Sequence, residues 1–252
     1  MKNKILVIGA GSWGTAIADI LAKKNKSVDI WTRNIKISDE INNKNTNKKY
    51  FKKIKLQKNL NSISGAFDTS QYSYIFYALP AGQFENLIKN YLINQKINNF
   101  TICSKGLSTN GQLISVVAKA YLKFKNLYIL SGPSFAEEVI KGLPTALSVS
   151  SNSSPLPLGK LFKGTNIRIY YSKNYKTLEV LGVIKNIYAI GAGIIDALSL
   201  GENARAAYIA RCIAEIQFIL KNSKFDNKQI LTLGGIGDLI LTCSSKKSRN
   251  YS

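Results

Sequence analysis

The sequence predicts an α/β fold: a doubly wound, mostly parallel Rossmann-type sheet followed by a second, all-helical domain. Three observations carry this prediction. Strand-like and helix-like apolar patterns alternate from the first residues to about Ser172. A glycine-rich turn, Gly9 to Gly14, separates the first strand from the first helix, and after Lys173 the strand pattern ceases. With 252 residues, 45% of them hydrophobic, the chain is long enough for one large core or two smaller ones.

Taken in order, KILVI reads as a short apolar strand, TAIADILAKK has helical spacing, and SVDIWT reads as a second strand ending at Arg33, together a βαβ unit. From Asn42 to Asn61 the chain is polar and carries Lys44, Lys48, Lys49, Lys52, Lys53, Lys55 and Lys58 with no acidic residue, which predicts a mobile loop or a weak helix. YIFYALP, FTICSKG and LYILSGP then read as strands alternating with helices at FENLIKNYL and QLISVVAKAYL. TALSVSS and IRIYYS are further strands flanking the loop SSNSSPLPLG, which leads into a short helix. The remainder is two long helical runs, LEVLGVIKNIYAIGAGIIDAL and ARAAYIARCIAEIQFILKN, so the expected division lies between residues 1–173 and 174–252. No internal repeat is visible.

Composition narrows the function classes. The 35 Lys and Arg against 14 Asp and Glu give a formal charge of +21, which favours polyanions or small phosphorylated ligands through its summed field. A general compositional bias toward Lys, Asn and Ile explains the same excess; no specific nucleic-acid partner is expected, and non-specific, salt-sensitive binding of nucleic acid through the lysines of Asn42 to Asn61 is the runner-up. The three cysteines, Cys103, Cys212 and Cys243, are far apart and form no CxxC pair, so no disulfide framework or metal site is expected and a reducing cytoplasm fits. Histidine is absent, which removes Ser-His and Cys-His nucleophile pairs and leaves Lys, Tyr, Asp or Glu for proton transfer.

Two apolar stretches invite a membrane reading, and neither supports it. MKNKILVIGAG continues into a glycine-rich turn, Asp19 and the Lys23, Lys24 and Lys26 cluster, the start of a folded domain rather than a cleavable signal. Val180 to Leu200 carries Lys185, Asn186 and Asp196, and each charged group costs on the order of ~3 kcal/mol near the centre of a membrane helix. This run is expected to be a buried core helix, not a span.

GAGSWG matches GxGxxG where a strand meets a helix. In that setting Gly9 permits the tight turn, Gly11 lets the backbone approach a pyrophosphate, and Gly14 lets the helix pack on the strand, while the helix N-terminus offers free N–H groups. The end of the second strand, WTRN, places Arg33 where a basic side chain accepts a ribose 2′-phosphate, so NADPH is expected over NADH. Asp29 is the alternative ribose ligand, but it sits inside the strand. Residues 1–173 are therefore expected to be a dinucleotide-binding domain.

Lys185, inside a long apolar helix, is the candidate proton donor, because desolvation lowers a lysine pKa toward a useful range. A lysine snorkelling to the surface is the other reading of the same pattern. Four further segments look like parts of a site: SKGL around Lys105, SGPSFAEEV around Ser134, GGIGDLILTC around Asp238, and SRN from Ser248 to Asn250.

These segments, with GAGSWGTA, IKNIYAIGAGI and GENARAA, occur in the order found in bacterial glycerol-3-phosphate dehydrogenases, which the chain resembles from Met1 to its last residues. The resemblance implies hydride transfer between NAD(P)H and dihydroxyacetone phosphate, with Lys185 as general acid/base. It implies substrate contacts at Lys105, Gly132, Ser134, Lys185, Asp238, Ser248, Arg249 and Asn250. It further implies cofactor contacts at Ser12, Trp13, Arg33, Lys105, Ala136 and Arg249, a homodimer, and a role in making the glycerol phosphate of phospholipids. The chemistry agrees, since Arg offers a fork to a phosphate and Ser and Asn add neutral hydrogen bonds. A carboxylate at Asp238 would raise a buried lysine's pKa against desolvation.

Relatives of this family continue past SRN with further helices, so the helical domain of 174–252 is expected to be partial and to expose an apolar face. The alternatives are a catalytically weak or inactive nucleotide-binding relative and a related dehydrogenase acting on another hydroxy compound.

Overall fold

The computed structural model describes residues 4–25 and 27–252; Met1 to Asn3 and the Lys26 of the lysine cluster lie outside them. The described residues form an eight-stranded sheet from β1 (Lys4–Ile8), β2 (Ser27–Trp31), β3 (Leu60–Ile63), β4 (Tyr74–Tyr77), β5 (Lys96–Ile102), β6 (Lys123–Ser131), β7 (Thr145–Ser151) and β8 (Ile167–Tyr171). The order is β3-β2-β1-β4-β5-β6-β7-β8, and every pairing is parallel except β6 with β7. The order in which strands are added reverses at β1, from which the chain winds first to β2 and β3 and then to β4 on the other side, opening a crevice beyond the carboxyl ends of β1 and β4.

Helices cover both faces, which is why the strands read as unbroken apolar runs. In β1, Ile5 and Val7 enter one core with α1 (Ser12–Ala22) and α5 (Ala136–Ile140). Leu6 and Ile8 enter the other, with α3 (Phe84–Leu87), its π-helical continuation Ile88–Leu92, and α4 (Ile114–Tyr121). The short helix expected after the Ser/Pro-rich loop is α6 (Leu156–Lys160).

The lysine-rich stretch departs from its expectation. α2 (Ile35–Lys44) precedes it, capped by Asn34, whose side chain accepts from Ile37 N–H at 3.2 Å, and β3 closes it. Residues 45–59 between them form turns without a helix, and they are anchored rather than loose. Asn47 is wholly buried, and Phe51 and Leu56 insert into the first core. Burying three side chains in a short segment fixes its path despite its charge.

Beyond β8 the chain is helical: α7 (Tyr175–Ala197), α8 (Gly201–Asn222) and α9 (Asp238–Cys243), with a π-helical turn at Leu233–Gly237. Leu178, near the start of α7, belongs to the sheet's second core, while Leu181, Tyr188, Ala189 and Ala192 join Cys212, Ile216, Leu220, Leu239 and Tyr251 in a third. α7 is the one described helix long and apolar enough to cross a membrane, with a mean hydropathy of 1.6. It is not a fully buried core helix as expected: its inner face packs, but Ile187, Ile190 and Ile194 are 63%, 53% and 54% exposed.

Candidate active site

A cleft of about 1290 Å³ runs along the carboxyl ends of the strands. It is lined in turn by the loops after β1, β2, β4, β5 and β6, and then by α7, α9 and the residues that follow α9. Ligands in open α/β sheets bind in this position because backbone N–H groups and loop side chains converge there.

The glycine-rich turn builds one part. Gly9 has φ +116°, and a Cβ on Gly14 would stand 1.8 Å from the Gly9 carbonyl oxygen, so both are required by the turn itself. Gly11 differs: a Cβ there would meet no protein atom within 4 Å. The open space lies beside the first turn of α1, whose cap residue Gly11 has no side chain to occupy the free N–H groups. An anion such as a pyrophosphate fits this cradle. Gly11, Ser12 and Trp13 line the cleft, whereas Gly9 and Gly14 lie behind it.

Arg33 follows β2 into the cleft and donates to Gln83 Oε1 at 2.9 Å. Asp29 lies elsewhere, buried within β2, accepting from the Tyr72 hydroxyl at 2.7 Å and facing Lys4 at 3.3 Å. It is not among the cleft residues, which leaves Arg33 as the charged group at the end of β2.

The charged centre is formed by Lys105, Lys185 and Asp238. Lys185 projects from the inner face of α7, 8% exposed, and donates to Asp238 Oδ1 at 2.7 Å and to Thr242 Oγ1 at 2.7 Å. Its remaining N–H is available to the cleft it lines. Lys105, in the loop after β5, donates to the other carboxylate oxygen of Asp238 at 2.6 Å and to the Gly132 carbonyl at 3.0 Å. Burial, reinforced by the neighbouring Lys105 charge and opposed by Asp238, lowers the Lys185 pKa to about 8. Of the two readings of this lysine, the buried one holds, and it does not snorkel.

Asp238 is 1% exposed and does not line the cleft; it sits beneath both lysines at the start of α9. Gly132, with φ +144°, also stays behind, turning its carbonyl to Lys105 and to the Ser134 hydroxyl at 3.1 Å. Ser134, Ala136, Ser248, Arg249 and Asn250 all border the cleft, so the sequence-selected residues converge on one place from distant parts of the chain.

Two residues there escaped sequence reasoning. Thr242 accepts from Lys185 while its own hydroxyl is bonded to the Asp238 carbonyl at 2.6 Å, and Asn186 lines the cleft and reaches the Lys105 carbonyl at 3.4 Å. A signal for Thr242 existed, since it lies one helical turn after Asp238 and so shares its face.

Known proteins match this chain along its whole length. The family model for the NAD-dependent glycerol-3-phosphate dehydrogenase N-terminus matches residues 4–156, and that for the C-terminus of the same family matches 174–252. The glycerol-3-phosphate dehydrogenase [NAD(P)+] of Erythrobacter litoralis is 36% identical over 255 residues, covering 100% of this chain and 77% of that protein. The enzyme of the same name from Orientia tsutsugamushi is 38% identical over 252 residues, covering 98% and 76%. The crystal structure of glycerol-3-phosphate dehydrogenase from Coxiella burnetii superposes with a TM-score of 0.88 at 31% identity, covering 99% of this chain and 78% of that one. With both family models matched and the glycine-rich turn and lysine cluster sharing one cleft, the chain belongs to the NAD-dependent glycerol-3-phosphate dehydrogenase family.

Proposed function

We propose that this chain reduces dihydroxyacetone phosphate to sn-glycerol 3-phosphate with NADPH, NADH serving less well, and that Lys185 is the general acid/base. The observation that carries this reading is a buried ammonium with a pKa of about 8, lining the same cleft as a glycine-rich turn with open space at Gly11. When bound there, the dinucleotide supplies the hydride. Lys185 gives a proton to the oxygen of the developing alkoxide and takes it back from the hydroxyl in the reverse direction.

The other residues bind and orient. Asp238 fixes both lysines through its two oxygens, and Thr242 holds Lys185 on a second side. With two ammonium groups against one carboxylate, the centre keeps a net positive charge that favours an anionic substrate and a developing alkoxide. Arg249 and Asn250, exposed beside buried Ser248 on the cleft wall, suit a substrate phosphate, the Arg as a fork and the others as hydrogen-bonding groups. Lys105 and Ser134 complete the substrate contacts, while Ser12, Trp13, Arg33 and Ala136 face the dinucleotide.

In this reading residues 1–173 hold the dinucleotide and 174–252 supply Lys185, Asp238 and the phosphate-binding residues. A cytoplasmic location accords with three free, buried cysteines. A homodimer rests on the family resemblance alone, and sedimentation measures it.

The reaction is tested by incubating the chain with NADPH and dihydroxyacetone phosphate and identifying the product. Formation of sn-glycerol 3-phosphate supports the assignment, and turnover only with a different hydroxy compound overturns it.

A further inference from the structure

The lysine-rich segment between α2 and β3 is built into the wall of the cleft. Asn47 donates to the Ala10 carbonyl at 3.1 Å and to Thr15 Oγ1 at 2.9 Å, tying the segment to the glycine-rich turn and to α1. Gln57 N–H donates to Asp19 Oδ1 at 2.7 Å, and Phe51 and Leu56 are buried in the adjoining core. Between these anchors Lys49, Tyr50, Lys52 and Lys53 line the cleft, together with Thr32, Arg33 and Asn34 at the end of β2.

This wall is strongly cationic and locally uncompensated. Residues 42–61 contain seven lysines and no acidic residue. Two carboxylates are bonded to this segment, and both are spent on other groups: Glu40 accepts from Lys48 N–H at 2.9 Å and Thr46 Oγ1 at 2.7 Å, and Asp19 accepts from Gln57 N–H. Among the described residues, Arg33, Lys49, Lys52 and Lys53 make no ion pair. Lys49 is partly occupied over the Tyr50 ring at 5.6 Å, which leaves Lys52 and Lys53 as exposed, free ammonium groups. Like charges held side by side by a buried anchor repel one another, and an anion placed among them relieves that repulsion.

We propose that Lys52 and Lys53 act with Arg33 as a clamp for a phosphate on the adenosine ribose, and so are specificity-determining residues for a 2′-phosphorylated dinucleotide. The proposal rests on the dinucleotide reading of the cleft given above. The pyrophosphate has its own cradle at Gly11 to Trp13, while the end of β2 is the part of such folds that faces the adenosine ribose. Arg33 supplies a planar fork, and the two lysines supply compact charges on long, adjustable stems from the wall of the same cleft.

The test is direct binding, independent of catalysis. 2′,5′-ADP and 5′-AMP are titrated calorimetrically into the wild-type chain, a Lys52→Gln/Lys53→Gln variant and a Lys52→Arg/Lys53→Arg variant, at low and moderate salt. The wild type is expected to prefer 2′,5′-ADP by about tenfold or more, equivalent to one good charge-assisted contact. The Gln variant should lose most of that preference, with 5′-AMP affinity unchanged and a shallower salt dependence, and the Arg variant should restore it. Unchanged 2′,5′-ADP binding in the Gln variant overturns the proposal, as does an equal loss for both nucleotides, which would mean general attraction only. The two readings fail separately. Lysine-dependent 2′,5′-ADP binding without turnover of dihydroxyacetone phosphate leaves the clamp standing and removes the reaction. Turnover without a lysine-dependent preference does the reverse.

Discussion

The Lys185 ammonium and the Asp238 carboxylate meet at 2.7 Å where solvent barely reaches either, and the same carboxylate grips Lys105 with its other oxygen at 2.6 Å. One acid therefore sets the position of two bases that come from opposite halves of the chain, the loop after β5 and the middle of α7.

Substituting Asp238→Asn should lower turnover by about 10²-fold or more, in the range seen when a positioned acid/base is disturbed. It should leave dinucleotide binding intact, because Asp238 does not border the cleft. Losing the opposing charge should also depress the Lys185 pKa further, moving the pH limb of the reaction downward. Steady-state kinetics over a pH series and a dinucleotide titration check both parts.

The pH dependence has a definite sign. Reduction needs protonated Lys185, so its rate should hold at low pH and fall above about 8; the reverse oxidation should rise through the same value. A Lys105→Met variant removes the like charge that helps lower this pKa, so its limb should shift upward. For stability, folding lowers the pKa of Lys185 from 10.5 to about 8, so the unfolded chain binds more protons between those values. The Lys185 contribution should therefore make the protein more stable as pH rises through that window, and leave it level below. Urea titrations of wild type and Lys185→Met measure the difference.

The glycines of the turn should separate fold from binding. Gly14→Ala places a methyl against the Gly9 carbonyl and should destabilise by at least about 1–3 kcal/mol, the usual cost of overpacking. Gly11→Ala meets no protein atom, so stability should stay within about 0.5 kcal/mol of wild type. Its dinucleotide affinity should nonetheless fall by about tenfold or more as the cradle fills, equal to ~1.4 kcal/mol. Thermal melts with and without dinucleotide read both effects.

Asn47→Ala removes two hydrogen bonds from a wholly buried amide and should cost about 1–3 kcal/mol in a denaturant titration. It should also loosen the lysine-bearing wall, which proteolysis within residues 45–59 detects.

Much of this was legible in the chain itself. KILVI followed by GAGSWG marks a parallel strand, a tight turn and a helix, because unbroken apolarity and a glycine spaced for close packing leave few other arrangements. α2 and β3 were not legible: α2 buries only Ile37, Ser38 and Ile41, and β3 is four residues long with two of them inward. The 45–59 segment looked loose because its lysines are local and its anchors are not. Asn47 finds Ala10 and Thr15, and Gln57 finds Asp19, only once α1 is in place. In the site, Lys185 stood out as a charge in an apolar helix, whereas Thr242 offered only its spacing from Asp238, and Asn186 is an ordinary polar residue whose role appears when the loop after β5 closes on α7.

The most direct test of the central claim is the fall in NADPH absorbance when dihydroxyacetone phosphate is added to this chain, beside a Lys185→Ala control shown to be folded and to bind NADPH. The account predicts oxidation by the wild type and a rate about 10²–10⁴-fold lower in the variant, the usual contribution of a general acid. Near-equal rates in the two proteins would contradict it, because the proton would then come from a group other than Lys185.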